Sequence, residues 1–191
     1  MRDYPLIESA PYCCFAASLE SALKRHGIYN VTQYDIANYI GLVVLEEDKE
    51  NIPKEIYNIT YTNDPVQAGL HIGDKTLPDL FNHFNIPLKE TYISWQEISD
   101  INFDSILLAI PEESDVLLYF DFGDLYKEER NKGVGHTGLF VSIDFNHIIK
   151  YLSAGPRYMG VGVFASEDFV HAIRSREGGI SIFSKVASDG E

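Results

Sequence analysis

Cys13-Cys14-Phe15-Ala16-Ala17-Ser18-Leu19-Glu20-Ser21-Ala22-Leu23-Lys24-Arg25-His26-Gly27 is the stretch that decides the fold. Ala16, Leu19, Ala22 and Leu23 recur at helical spacing, with Glu20, Lys24 and Arg25 opposite them, which predicts an amphipathic helix. Pro11 is tolerated just ahead of a helix start, and Gly27 suits a left-handed C-terminal cap. Cys14 then falls in the first turn, where free backbone N–H groups and the positive end of the helix dipole favour a thiolate and lower its pKa. A thiol so placed is a candidate nucleophile. The competing reading is structural: free cysteine is among the most buried residue types, so Cys13 and Cys14 could both be core thiols.

These two cysteines are the whole complement, and adjacent residues rarely bridge because the ring strains the intervening peptide. His71, His83, His136, His147 and His171 are scattered, so no zinc-ligand spacing arises. Nothing in the residues calls for a cofactor or a metal.

Cys14, Ala17, Leu19, Leu23 and Gly27 resemble the nucleophile helix of the papain-like cysteine peptidase superfamily, in its bacteriocin-processing branch. Starting the pattern at Cys13 instead puts Ala22 where Leu23 belongs and shifts Gly27 by one, so Cys14 fits better. The resemblance continues far downstream. Gly135-His136-Thr137-Gly138-Leu139-Phe140-Val141-Ser142-Ile143-Asp144 reads as a strand headed by His, and Asn146-His147 as a hairpin turn returning through Ile148–Leu152. Ser166–Ile173 reads as a helix with Ser166 as N-cap, and Gly179–Phe183 as a last strand. That order implies an α+β papain-like domain over residues 1–191, with an N-terminal helical part packed on a C-terminal antiparallel sheet.

The resemblance implies that His136 takes the Cys14 proton, that the thiolate attacks an acyl carbon, and that the Cys14 backbone N–H helps hold the oxyanion. Taken alone, His136 would read as an ordinary half-buried strand histidine. Two positions depart from the family pattern. Glu8 stands where the family has an oxyanion-binding Gln, and an ionised carboxylate there repels a developing oxyanion, so Glu8 must be protonated, turned away or repurposed. Ser153, in Leu152-Ser153-Ala154-Gly155-Pro156, falls where an Asp orients the His. A serine can orient an imidazole but supplies no charge. Asp144 and Asn146 are nearby in sequence.

The remainder shows organisation more than chemistry. Thr32-x-x-Asp35 opens a capped helix, and Glu46–Glu50 reads as a solvated turn. Residues 51–73 lack a clean period and suit an irregular cleft border that could include His71. A short helix is expected from Asp74 to Phe84, strands at Lys89–Trp95 and Val116–Phe120, and a helix at Asp104–Ile110. Asp121–Lys132 reads as a charged loop, and Gly155–Gly162 as a turn or lid rather than a nucleotide fingerprint.

With 191 residues, 45% of them hydrophobic, the chain has material for one core. A net charge of −14 and no basic cluster argue against nucleic acid, and no run of about 20 apolar residues suggests a membrane span. Without a signal-peptide core at the start, the expected location is cytoplasmic. Three functions are compatible with these residues. The first is a cysteine-nucleophile enzyme acting on a peptide or small acyl or amide substrate through a thioester; it would be a peptidase, an amidase, or an acyltransferase of the butirosin-pathway kind, which the chain resembles more loosely. The second is a catalytically silent domain of the same fold that binds a peptide or protein partner. The third is a domain in which both thiols are merely structural.

Overall fold

The computed structural model describes residues 1–71, 75–155 and 158–186. The decisive stretch forms helix α1 (Cys14–Arg25), and its end uses Gly27 as expected. Gly27 takes φ +82°, its N–H reaching Lys24 O at 3.0 Å while that of Ile28 reaches Leu23 O at 3.0 Å. One expectation fails. Glu20 is only 5% exposed, because α2 (Gln33–Ile40) covers the side predicted to face water. Its carboxylate accepts from the Gln33 N–H at 2.7 Å and pairs with Lys24 at 2.7 Å, so burial does not leave the charge unmatched. Every residue from Phe15 to Leu23 is buried, which makes α1 a central helix.

The capping box at Thr32 and Asp35 forms as its spacing predicts. Strands β1 (Leu42–Leu45), β2 (Ile59–Thr62) and β3 (Gly69–Leu70) then build a small sheet in the order β2-β1-β3. Elements of two to four residues are too short to set up a period, so β2 and β3 were hidden in the irregular stretch. Helix α3 (Leu77–His83) starts from a capping box at Thr76 and Asp79; the expected start at Asp74 lies outside the described residues.

The main sheet holds β4 (Leu88–Ser94), β5 (Asp115–Asp121), β6 (Gly135–Ile143), β7 (Ile148–Ser153), β8 (Gly160–Ala165) and β9 (Gly179–Lys185). Their order is β4-β9-β5-β6-β7-β8, and every neighbouring pair is antiparallel. Side-chain alternation divides the core between its two faces. Leu117, Leu139 and Phe183 join the cluster around α1, while Leu118, Phe120, Phe140, Tyr151 and Ile180 pack on Phe169, Val170 and Ile173. The latter three belong to α6 (Ser166–Ser175), and α4 (Phe103–Ala109) adds Phe103 and Leu107 to the same cluster. The architecture is therefore α+β, with a sheet between helical layers.

Three local readings are corrected. The last three residues of the expected turn at Gly155–Gly162 are instead the start of strand β8, and Pro156 and Arg157 lie outside the described residues. Its Gly162 faces Gly138 of β6 across the Tyr151 ring, and a Cβ at either glycine would come within 2.3 or 2.4 Å of that ring. Ser166 is not an N-cap. Ala165 holds that position, and the Ser166 hydroxyl bonds Asp104 instead. The charged loop contains a short helix, α5 (Phe122–Tyr126), capped by Asp121. Among the described residues, no helix is long and apolar enough to cross a membrane.

Candidate active site

Chain entry into α1 is a tight turn, in which the Cys13 N–H reaches Ala10 O at 3.0 Å across Pro11 and Tyr12. Tyr12 takes φ 66°, a left-handed conformation that costs a non-glycine residue about 1 kcal/mol, and its hydroxyl is held by Asp48. The turn sends the two thiols to different places. Cys13 is fully buried in the core cluster around α1, where burial pushes its thiol up to about 12. Cys14 is part-exposed on the floor of a cleft. The backbone N–H groups of Thr137, Phe15 and Cys14 itself approach its sulfur.

Thr137 is the residue after His136, so this contact brings the head of β6 to the N-terminus of α1. Both Cys14 and His136 line a recess of about 590 Å³ and a second of about 240 Å³, which meet along Ala68, Gly69, Gly135 and the Cys–His pair. A chain lying in this cleft would extend to either side of the sulfur. The expected cleft border is observed: β3 and the exposed His71, whose Nε2 lies 2.7 Å from Gln67 O, line the larger recess.

The His136 ring is wedged edge-on against Phe120 and Phe122 and covered by Gly155, where a Cβ would stand 3.1 Å from Cε1. Its Nε2 lies 3.1 Å from Ser153 Oγ, so the structure brings these two residues together. Ser153 is fully buried and also receives the Gly155 N–H at 3.4 Å. It contacts the Tyr151 hydroxyl, which in turn bonds that of Tyr126. Read as donors in sequence, Nε2–H, Ser153, Tyr151 and Tyr126 form a neutral relay that leaves Nδ1 as the basic nitrogen. Burial raises both tyrosines, which keeps the relay uncharged. The tyrosines were missed in the sequence because each reads as an ordinary core aromatic.

The electrostatics differ from the sequence expectation. Desolvation at the cleft floor pushes the Cys14 thiol up, outweighing the three N–H groups that favour the thiolate. Desolvation also pushes the His136 imidazole down, to about 4. Both shifts favour a neutral resting pair in place of the thiolate expected from the helix dipole. Of the alternatives for Glu8, the structure has it turned away: it is exposed and lines neither recess. Gln33 explains this by accepting the Ala10 N–H at 2.8 Å and donating to Glu8 O at 2.9 Å, which fixes the backbone so that Ser9, not Glu8, lines the smaller recess. Asp144 is spent at the hairpin turn, accepting the N–H groups of Asn146 and Ile148 at the other end of β6.

No family model matches the sequence, and no curated protein matches it either. Among solved structures, the chain is similar to a "putative C39-like peptidase" from Bacillus anthracis, with 96% of each chain covered at a TM-score of 0.58 and 15% identity. The fold is papain-like. Within a papain-like fold, α1 is the helix that abuts the antiparallel sheet, and the cleft lies where the two meet.

The neutral relay can be tested directly. Replacing Ser153 by Asp puts a carboxylate beside Nε2, and an adjacent negative charge favours imidazolium. The His136 titration followed by proton NMR is expected to move up from about 4 toward the ordinary histidine value near 6.5. An unmoved midpoint would show that residue 153 does not govern this ring.

Proposed function

We propose that the chain is a cysteine-nucleophile acyl enzyme, a peptidase or amidase first, with Cys14 and His136 as its reacting groups. The observation that supports this reading is that Cys14 and His136 share the lining of both recesses, at their junction. As the sulfur attacks an acyl carbon, its proton passes to His136 Nδ1, and the former carbonyl oxygen takes the negative charge. Cys13 caps α1 with no side-chain acceptor, and the first turn carries no acidic residue, so no side chain competes with that oxyanion for the first-turn N–H groups that approach the sulfur. The imidazolium then gives its proton to the leaving amine, the carbon–nitrogen bond breaks, and a Cys14 thioester remains. Water or an amine resolves it. Cleft on both sides of Cys14 favours a peptide over a small amide. Within the superfamily we place the chain nearest the bacteriocin-processing branch on the pattern Cys14, Ala17, Leu19, Leu23 and Gly27; transfer to an amine, as in the butirosin-pathway acyltransferases, uses the same thioester. Free thiols suit a reducing compartment, consistent with a cytoplasmic enzyme.

The test is capture of the thioester. Rapid acid quenching after mixing with a panel of peptide esters and amides, followed by intact-mass analysis, is expected to show one acyl adduct on Cys14. Turnover should rise with pH as His136 loses its proton, giving an acid limb near about 4, and persist through neutrality because the thiol is raised. Absence of an adduct across the panel, with Cys14 and Cys14→Ala proteins alike, would sink the enzyme reading and favour a peptide-binding domain.

A further inference from the structure

The larger recess runs along the sheet away from the Cys–His pair and ends at Glu90, on β4. In the strand order β4-β9-β5-β6, Glu90 stands three strands from the one that carries His136. At about 4.8 Å per strand this is about 14 Å across the sheet, and because the row through Thr137, Tyr119 and Gly179 meets β4 at Ser94, Glu90 lies a further four residues, about 13 Å, along it. The carboxylate is half-buried and sits in a built setting: Tyr119 donates to Ser181 Oγ at 3.1 Å, and the Ser181 hydroxyl donates to Glu90 Oε1. Ser181 is 1% exposed, so this network is fixed from below. Tyr92, whose hydroxyl reaches Gly178 O at 3.0 Å, completes an aromatic wall on the same recess. Among the described residues no lysine, arginine or histidine pairs with Glu90. The recess also holds a cation, Arg176, but at its opposite end, packed against Gly135 beside His136.

We propose that Glu90, held by Ser181 and Tyr119, is a specificity subsite that takes the cationic side chain of a lysine or arginine in the bound peptide. This deepens the proposed function and rests on its reading of the cleft as a peptide site. A half-buried carboxylate with one hydrogen bond has unused acceptor capacity, and a substrate ammonium or guanidinium supplies a charge-assisted partner. Tyr92 and Tyr119 offer ring faces to the same cation. Burial already raises Glu90 above the usual carboxylate range, so an arriving cation relieves a standing penalty. Distance selects which residue is read. Glu90 lies several extended residues of about 3.3 Å each from the Cys–His end, so the long side chain it takes belongs to a residue well along the bound peptide. The scissile residue itself falls short. At long range, the net charge of −14 draws cationic peptides toward the whole surface, but that attraction does not depend on Glu90.

Calorimetry on full-length Cys14→Ala protein tests the subsite without needing turnover. The probes are blocked five-residue glycine peptides with a central lysine, arginine or norleucine. Lysine and arginine peptides are expected to bind about tenfold more tightly than the norleucine peptide, and Glu90→Gln to abolish the difference. Glu90→Asp, which keeps the charge, should retain part of it. Equal affinity for all three peptides, no binding by any of them, or a preference that survives Glu90→Gln would overturn the subsite. Catalysis is scored separately. Lysine preference in a protein that forms no Cys14 adduct leaves the subsite standing and removes the enzyme, whereas adduct formation without preference does the reverse.

Discussion

Cys14→Ala is expected to lower turnover on the order of 10,000-fold or more, and His136→Ala by a similar amount. The two losses should not add, because the thiol and the imidazole act as one unit: without a base the neutral thiol attacks slowly, and without the thiol the base has nothing to activate. Steady-state kinetics of the single and double variants would check this, and additive losses would contradict a shared step. The neighbouring cysteine provides the control. Cys13 points into the core and its thiol is held neutral up to about 12, so Cys13→Ala should keep its turnover and reduce only stability. The neutral resting pair adds a sharper expectation. Alkylation of Cys14 by iodoacetamide should be slow at neutral pH and accelerate only above the ordinary thiol range, even in an active enzyme.

Asp115→Ala is expected to destabilise the fold by about 3–5 kcal/mol, the range for breaking a buried ion pair from one side. Asp115 opens β5 and is fully buried. It pairs with Arg25, and its second oxygen lies 2.5 Å from His26 Nε2, so both partners come from the C-terminal end of α1. Arg25 also donates to Glu112 O at 2.6 Å and lies over the Tyr4 ring, which fixes the guanidinium where it is. Removal of the carboxylate therefore leaves the charge in place without its counterpart. Urea unfolding should show a lower midpoint with an unchanged slope. A change below about 1 kcal/mol would mean that Arg25 is satisfied by Glu112 and solvent alone.

What the sequence made legible follows from the length of each signal. Helix α1, the β6–β7 hairpin and α6 have sustained periods, and each formed within a few residues of its expected span. The α+β class and the expected meeting of Cys14 with the head of β6 came from the family resemblance that these elements carry. Short or glycine-bearing elements did not show. Strands β2 and β3 have four and two residues, and β8 carries glycines whose purpose is visible only once Tyr151 lies across one of them. Ser153 was legible because it occupies a patterned position. Its partners were not, since the contacts of Tyr151 and Tyr126 depend on three-dimensional packing. The same holds for Glu90, which in sequence is one of 29 acidic residues and stands apart only through Ser181 and the recess around it. The burial that pushes the Cys14 thiol up and the His136 imidazole down is hidden in the sequence for a related reason. The helix dipole can be read from sequence, whereas desolvation of the cleft floor cannot.

Because Cys14 and Arg25 are the two ends of one twelve-residue helix, the proposed nucleophile and the Asp115 anchor are opposite ends of a single lever. Such a rod is about 18 Å long, and a tilt of about 3° at the anchored end moves the other by about 1 Å. Misplacement of that size costs a positioned reaction about 100-fold. Mild substitutions beside this anchor, as at Tyr4, which does not line the cleft, can therefore weaken the chemistry in protein that remains folded. Loss of activity with retained folding at these positions would trace the mechanical path from the far end of α1 to its sulfur.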